Sequence, residues 1–507
     1  MSLNWIDLLV FFVYMGGIIL FGASFYRKNK TKEAFTTGNQ NIPSWVIAMS
    51  IFATFISSIS FLALPAKAYA TNWNAFVFSL SIPIASYFTL KFFIPLYRSI
   101  NSVSAYTYLE KRFGRWARLY ASSCYLLTQV MRTGVILFLL ALPLNILLGW
   151  DIVTIIFVTG FTVAIYSMLG GIQAVVWTDA IQGIILIGGA LLCLFYLIFS
   201  MPEGPMQTWE IAVQDGKMGL GSFDLTDWTT STFWVVFIYG IFINLQNYGI
   251  DQNYVQRYMA SRNEREAKFS TFYGSMLYVP VSFIFFMVGT ALYAYYRINL
   301  SELPTEIAAT GMEDRVFPFF IVNKLPVGLT GLLISSIFAA GMSTISTSFN
   351  SGATIVLTDF FRSEERKLSQ RKSMSILYLS TFVITVAGSV VAILMLHVQS
   401  VLDAWWNLAS IFSGGMLGLF LLGYFAKKVK SMSAAIGVAV GILAIIWMSL
   451  SPVYFNTEGT IAFRSNLHTQ LTIVVGTTVI FLVGFLLSKF CNKKPSNSSK
   501  PSSWTKN

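Results

Sequence analysis

The chain has 507 residues, 55% of them hydrophobic and 11% charged. An ordinary soluble domain carries about 25% charged residues, so this composition excludes one and predicts a polytopic membrane protein. The formal charge of +12 does not point to nucleic acid, because Lys and Arg gather in short segments between apolar runs, where membrane topology accounts for them.

A hydrocarbon core about 30 Å thick takes about 20 helical residues per crossing. Apolar runs of that length predict thirteen transmembrane helices, near 5–25, 43–70, 75–97, 117–148, 152–169, 172–199, 231–256, 270–296, 327–358, 373–396, 401–425, 432–451 and 468–490. The first run lacks a basic stretch before it and is followed by "RKNKTK", so it reads as a retained span rather than a cleaved signal peptide. The loops then alternate. Arg27, Lys28, Lys30 and Lys32 follow the first span, and Lys111, Arg112, Arg115 and Arg118 the third. Arg257, Arg262, Arg265 and Lys268 follow the seventh, Arg362, Arg366, Lys367, Arg371 and Lys372 the ninth, and Lys427, Lys428 and Lys430 the eleventh. With thirteen spans all of these fall on one face, and the acidic 200–230 loop falls on the other. By the positive-inside rule the N-terminus is expected outside and the C-terminus inside. The polar tail "CNKKPSNSSKPSSWTKN" at 491–507 is expected to be disordered and too short for an output domain. Cys124, Cys193 and Cys491 have no metal-ligand spacing and read as small hydrophobes.

Polar groups inside spans are costly and usually face the bundle interior or a water path. In the second span, "FATFISSISFLALPAKAY" places Thr54, Ser57, Ser58, Ser60, Pro65 and Lys67 within fourteen residues. Such a segment suits a helix that breaks near mid-membrane and frees backbone carbonyls for a cation; close helix packing by small residues is the alternative. Lys67 lies near the outer end, where snorkelling accounts for it. In the fourth span Arg132 is flanked by apolar residues, with Gln129 one turn before it. Its guanidinium fork matches a carboxylate, either that of a solute or an internal acid such as Asp179 or Asp251. Asp179 is the only acid well inside the sixth span, with no Lys or Arg close by in sequence; a cation role or a structural hydrogen bond would each account for it. The seventh span carries "NLQNYGIDQNYVQR", whose amides and Gly249 predict a second interruption. In the ninth, Ala340, Ser343, Thr344 and Thr347 share one helix face, with Ser346 beside them. That face offers neutral oxygens at bilayer depth, which suit sodium as a hard cation, though packing of small residues is the alternative.

Interrupted helices thus open both spans two to six and spans seven to eleven, a layout that points to an inverted-repeat transporter with its site at the midplane. The segments "GGIQAVVWTDAIQG", "DQNYVQRYMAS" and "ALPLN", with the Ser/Thr-rich ninth span, resemble the sodium:solute symporter family over nearly the whole chain. Within it, the second span together with Arg132 is most similar to bacterial sodium-coupled sialic acid transporters.

The resemblance implies an all-α, LeuT-type 5+5 inverted repeat. A single transporter domain would run over 1–490, with repeats near 43–199 and 231–425, extra spans at 432–490, and 491–507 as a cytoplasmic tail. It implies a main sodium site from the carbonyls of Ala53, Ile56 and Ala340 and the hydroxyls of Ser343 and Thr344. A second sodium site would use Asp179, Ser343, Ser346 and Thr347. The solute would meet Arg132, Ser57 and Ser60, with Gln129 and Ser79 as further candidates. Two departures stand out: Phe55 occupies a position where the sialic acid branch has a hydroxyl, and Ser79 replaces a Gln. The expectation is a monomeric symporter in a bacterial plasma membrane, importing a small acidic sugar with sodium and binding no nucleic acid. A symporter of neutral sugars, with Arg132 structural, is the alternative. An enzyme is not expected, since His397 and His468 lie at span ends and no nucleophile, base or metal cluster accompanies them.

Overall fold

The computed structural model describes residues 4–25, 35–36, 42–308, 312–361, 368–398, 400–454 and 463–491. The basic residues Arg27, Lys28, Lys30, Lys32, Arg362, Arg366 and Lys367 and the tail from 492 onward lie outside the described residues.

The chain is all helical in its spans. In chain order these are α1 (Trp5–Ser24), the bent pair α2 (Ser44–Phe55) and α3 (Ile59–Ala70), α4 (Trp73–Ile100), α5 (Arg115–Asn145), α6 (Ile152–Ile165), α7 (Gly171–Phe199), α8 (Phe233–Ile250) and α9 (Gln252–Ala260). They continue with α10 (Glu264–Ile298), α11 (Leu329–Phe361), α12 (Gln370–His397), α13 (Val401–Phe425), α14 (Ser431–Pro452) and α15 (Thr469–Lys489). Among the described residues eleven helices are long and apolar enough to cross a membrane, or twelve with α2 and α3 counted as one span bent by 58°. The expected fifth span is where this differs from thirteen: α6 falls among the shorter apolar helices, and Gly171, at φ 57°, kinks the chain into α7. The expected seventh span also stops early, at Ile250 instead of residue 256.

Proline chemistry explains the irregular helices. Pro65 and Pro95 each lack the N–H that would bond four residues back, and each is preceded by a wide π-turn, Ile59–Ala63 and Thr89–Phe93. The second break has a different cause. Asp251 is extended (φ −74°, ψ 128°), and its carboxylate accepts the Asn253 N–H at 2.7 Å, ending α8 and capping α9 in one step.

The core is organised on α11. Of its most apolar stretch 89% is buried, against 22% for α1 at the periphery, so the Ser/Thr-rich face turns into the bundle, not toward lipid. α1 nonetheless holds α11 in register: Asp7 Oδ1 accepts from Gly328 N and Gly331 N, both at 2.8 Å. A side chain at Gly331 would meet the Asp7 backbone, its Cβ only 2.5 Å from the carbonyl oxygen. A carboxylate on a helix N-terminus contributes about 1–2 kcal/mol when partly buried. Asp7→Ala is therefore expected to lower the thermal melting point of detergent-purified protein, and Asp7→Asn, which still accepts, to lower it less.

Candidate functional site

Where α2 stops at Phe55, its last carbonyls lose their i+4 partners. Ile56 is extended (φ −82°, ψ 122°), and Ser57 Oγ accepts the Ile59 N–H at 3.2 Å to start the chain into α3. Arg132 of α5 uses one of the freed carbonyls: its Nη2 donates to Thr54 O at 2.8 Å. Arg132 is 8% exposed and borders a cavity shared with Ser57, Ser60, Ser79 and Asp251, its guanidinium carbon 5.9 Å from the centre of the Trp405 ring. Among the described residues it forms no ion pair within 4.0 Å, so the expected alternative of an internal salt bridge to Asp179 or Asp251 does not form. The cavity volume is about 60 Å³, room for roughly four waters, and aromatic rings form part of its wall. Phe55 stacks on Tyr248 at 5.0 Å and meets Tyr278 edge-on at 4.5 Å, while Phe78 stacks on Trp406 at 5.5 Å.

Ser79 borders the cavity but also shares a hydrogen bond with Ser282 at 2.8 Å, joining α4 to α10. Gln129 does not line the cavity; it is buried, with Oε1 accepting from Asn253 Nδ2 at 3.2 Å. One turn on a 3.6-residue helix does not return a side chain quite to the same face, which is why its spacing from Arg132 misleads.

Three of the five oxygens expected for the main sodium site meet where α11 crosses the α2–α3 break. Thr344 Oγ1 lies 3.2 Å from Ala340 O and 3.4 Å from Ile56 O. Ala53, Ile56, Ala340, Ser343 and Thr344 are all buried. Ser343 turns its hydroxyl to the other cluster, donating to Asp179 Oδ1 at 2.6 Å.

At that second cluster sequence reasoning missed a partner. Arg257, counted among the basic residues of a loop, is fully buried on α9 and pairs with Asp179: Nη2 donates to Asp179 Oδ2 at 2.6 Å and to Thr347 Oγ1 at 2.9 Å. Its Nε donates to Ser50 Oγ at 2.7 Å, Ser50 in turn donates to Asp179 Oδ2 at 2.6 Å, and Nη1 donates to Asn253 O at 2.7 Å. Asp179 therefore does not stand without a cation. Ser346 lies beside the cluster with its hydroxyl donated to Ser343 O at 3.0 Å. The one available signal was the polar run "DQNYVQR" continuing an interrupted span.

At the C-terminal end of the bent pair Lys67 is likewise paired, with Asp403 of α13 at 2.8 Å, where simple snorkelling was expected. Between α10 and α11, Asp314 accepts the Val401 N–H at 3.0 Å, and burial pushes its carboxyl up to about 6.

The description of the sodium:solute symporter family matches residues 35–441. A sodium/sialic acid symporter of Aliivibrio fischeri is 32% identical over 492 residues, covering 96% of this chain and 92% of its own. One of Proteus mirabilis is 34% identical over 447 residues, covering 87% and 89%. A solved structure of a Na+-coupled sialic acid symporter, substrate-bound and outward-open, superposes with a TM-score of 0.87 at 31% identity, over 96% of this chain and 98% of that one. With its helices broken at Phe55 and Asp251, its hydroxyl-bearing α11 at the centre, and a family match over most of its length, the chain belongs to the sodium:solute symporter family.

Proposed function

We propose that the protein imports N-acetylneuraminate or a closely related acidic sugar together with sodium, across a bacterial plasma membrane, by alternating access. The observation that carries this reading is Arg132: a buried guanidinium on the cavity wall, with no acid within ion-pair distance among the described residues. A solute carboxylate is the group that satisfies such a fork. The relatives whose names specify sialic acid span nearly all of this chain and support the same solute. We read the architecture as a LeuT-type 5+5 repeat in a monomer with thirteen spans, α6 being the fifth, N-terminus outside and C-terminus inside. Residues 1–490 form the single transporter domain.

In this reading sodium sits among the carbonyls of Ala53, Ile56 and Ala340 and the hydroxyls of Ser343 and Thr344. These are hard oxygen donors of the kind a hard cation takes. Because Ile56 belongs to the break and Thr344 to α11, an ion there ties the two together and fixes the freed carbonyls beside the solute. Ser57 and Ser60 face the solute next to Arg132. A second ion shares Asp179, Ser343, Ser346 and Thr347. Inward-driven sodium carries about 2.3 kcal/mol per charge per 100 mV, which suffices to accumulate solute when release inside follows rocking of the helix sets.

A second reading, a neutral-sugar symporter, draws on the bond from Arg132 to Thr54 O, which a purely structural arginine would also make. A thermal-shift series on purified protein separates the two. N-acetylneuraminate with sodium is expected to raise the melting point by several degrees, with a smaller shift when sodium is replaced by choline and none with galactose. A sodium-dependent shift with galactose alone would overturn the acidic-sugar reading.

A further inference from the structure

We infer that Asp251, with Gln246 beside it, is a second recognition point in the cavity. It requires hydrogen-bond donors on the solute away from the carboxylate, and so selects hydroxylated or amide-bearing acids over plain monocarboxylates. The inference deepens the proposed function and rests on Arg132 being the carboxylate anchor.

Asp251 borders the same cavity as Arg132 from the opposite broken helix and is 2% exposed. No Lys or Arg lies within 4.0 Å of it among the described residues. Its Oδ1 accepts the Asn253 N–H, which caps α9. A carboxylate offers about four lone-pair sites, so acceptor capacity remains on the cavity side. Gln246 supplies the complement. Its backbone oxygen accepts the Asp251 N–H at 3.1 Å, which keeps the two residues together at the end of α8. Gln246 also lines the cavity, and its Nε2 is buried without a hydrogen-bond partner.

An underused acceptor and an orphaned donor thus border one cavity from the same turn of chain, with the guanidinium also on its wall. A pair of solute hydroxyls satisfies both, one giving its O–H to Asp251 and the other accepting from Gln246; an amide meets either one, through its N–H or its carbonyl, since in a trans amide the two point opposite ways. A plain monocarboxylate neutralises Arg132 but displaces water from the Asp251 and Gln246 groups without replacing their hydrogen bonds. Sites built to bond a polar group reject the analogue that lacks it far more strongly than apolar pockets reject a missing methylene.

The test compares sodium-dependent binding of N-acetylneuraminate, glucuronate and butyrate to the purified full-length chain, as wild type, Asp251→Asn and Gln246→Leu. Asn preserves size and remains a good N-cap, so Asp251→Asn keeps the α8–α9 break while replacing one acceptor oxygen by a donor. The expected result is a wild-type preference of at least about 100-fold for hydroxylated acids over butyrate. In Asp251→Asn that preference falls by about 10- to 100-fold, with butyrate affinity, sodium affinity and melting point little changed. Gln246→Leu is expected to narrow it in the same direction, and decides the matter if Asp251→Asn fails to fold. An unaltered ratio in the variants, or a wild type that does not discriminate, overturns the inference. Glucuronate binding that depends on Asp251, in a protein indifferent to N-acetylneuraminate, would overturn only the choice of solute.

Discussion

Arg132→Ala is expected to reduce sodium-dependent uptake of N-acetylneuraminate into proteoliposomes by about 100-fold or more, with sodium binding retained. The magnitude follows from removing one partner of a buried, charge-assisted pair, which costs about 3–5 kcal/mol when the other charge is left without compensation. In the loaded transporter that other charge is the solute carboxylate. Arg132→Lys keeps the charge but loses the planar fork, so an intermediate loss is expected. The variant also frees Thr54 O, which in the native chain accepts from Nη2 at 2.8 Å. That carbonyl is adjacent to Ala53 at the end of α2, so a modest change in sodium affinity is expected alongside. Two readouts keep the causes apart: sodium alone should still raise the melting point of Arg132→Ala, whereas the added shift from N-acetylneuraminate should vanish. Unaltered uptake of the acid in Arg132→Ala would refute the carboxylate role, and Arg132 would then stand as a prop for the helix break.

The interruption at α2–α3 was legible in the sequence because its signals are local: a cluster of hydroxyls, the absence of a continuous apolar run, and Pro65 marking the irregular turn that follows the break. So was the inward face of α11, where four small or hydroxyl residues keep helical spacing. Asp179 was legible as an intramembrane acid but its partner was not. Arg257 lies 78 residues away, and a chain-order reading assigns an arginine near the end of a span to the positive loop that follows. The break at Asp251 shortens α8 and turns what looked like the end of a span into the buried helix α9. The seat of α1 on α11 depends on Asp7 meeting two backbone N–H groups some 320 residues later, which no periodicity reports. Phe55 was read as a departure from the sialic acid branch, an apolar ring in place of a hydroxyl; here that ring packs between Tyr248 and Tyr278.

Asp179 and Arg257 provide the sharper experiment, because their pairing changes what a second sodium ion would meet. Both side chains are fully buried. Either removed alone leaves a desolvated charge, and Asp179→Asn or Arg257→Gln is expected to destabilise the protein by about 3–5 kcal/mol. Neutralising both leaves neither charge orphaned, so Asp179→Asn/Arg257→Gln is expected to recover most of that loss in a double-mutant cycle. Stability alone would then describe a strut that holds α7, α9 and α11 together. The sodium dependence separates strut from site. Arg257 already compensates the carboxylate charge, so an ion here binds a net-neutral cluster and gains from Asp179 Oδ1, Ser343 and Thr347 chiefly by direct coordination. If the ion is there, the double variant folds but its sodium Hill coefficient for uptake falls from about two to about one, because the carboxylate ligand is gone while Ala53, Ile56, Ala340, Ser343 and Thr344 of the main site all remain, Ser343 losing only its bond to Asp179. If the double variant folds and keeps a coefficient near two, the cluster is a strut and the second-ion assignment falls with it.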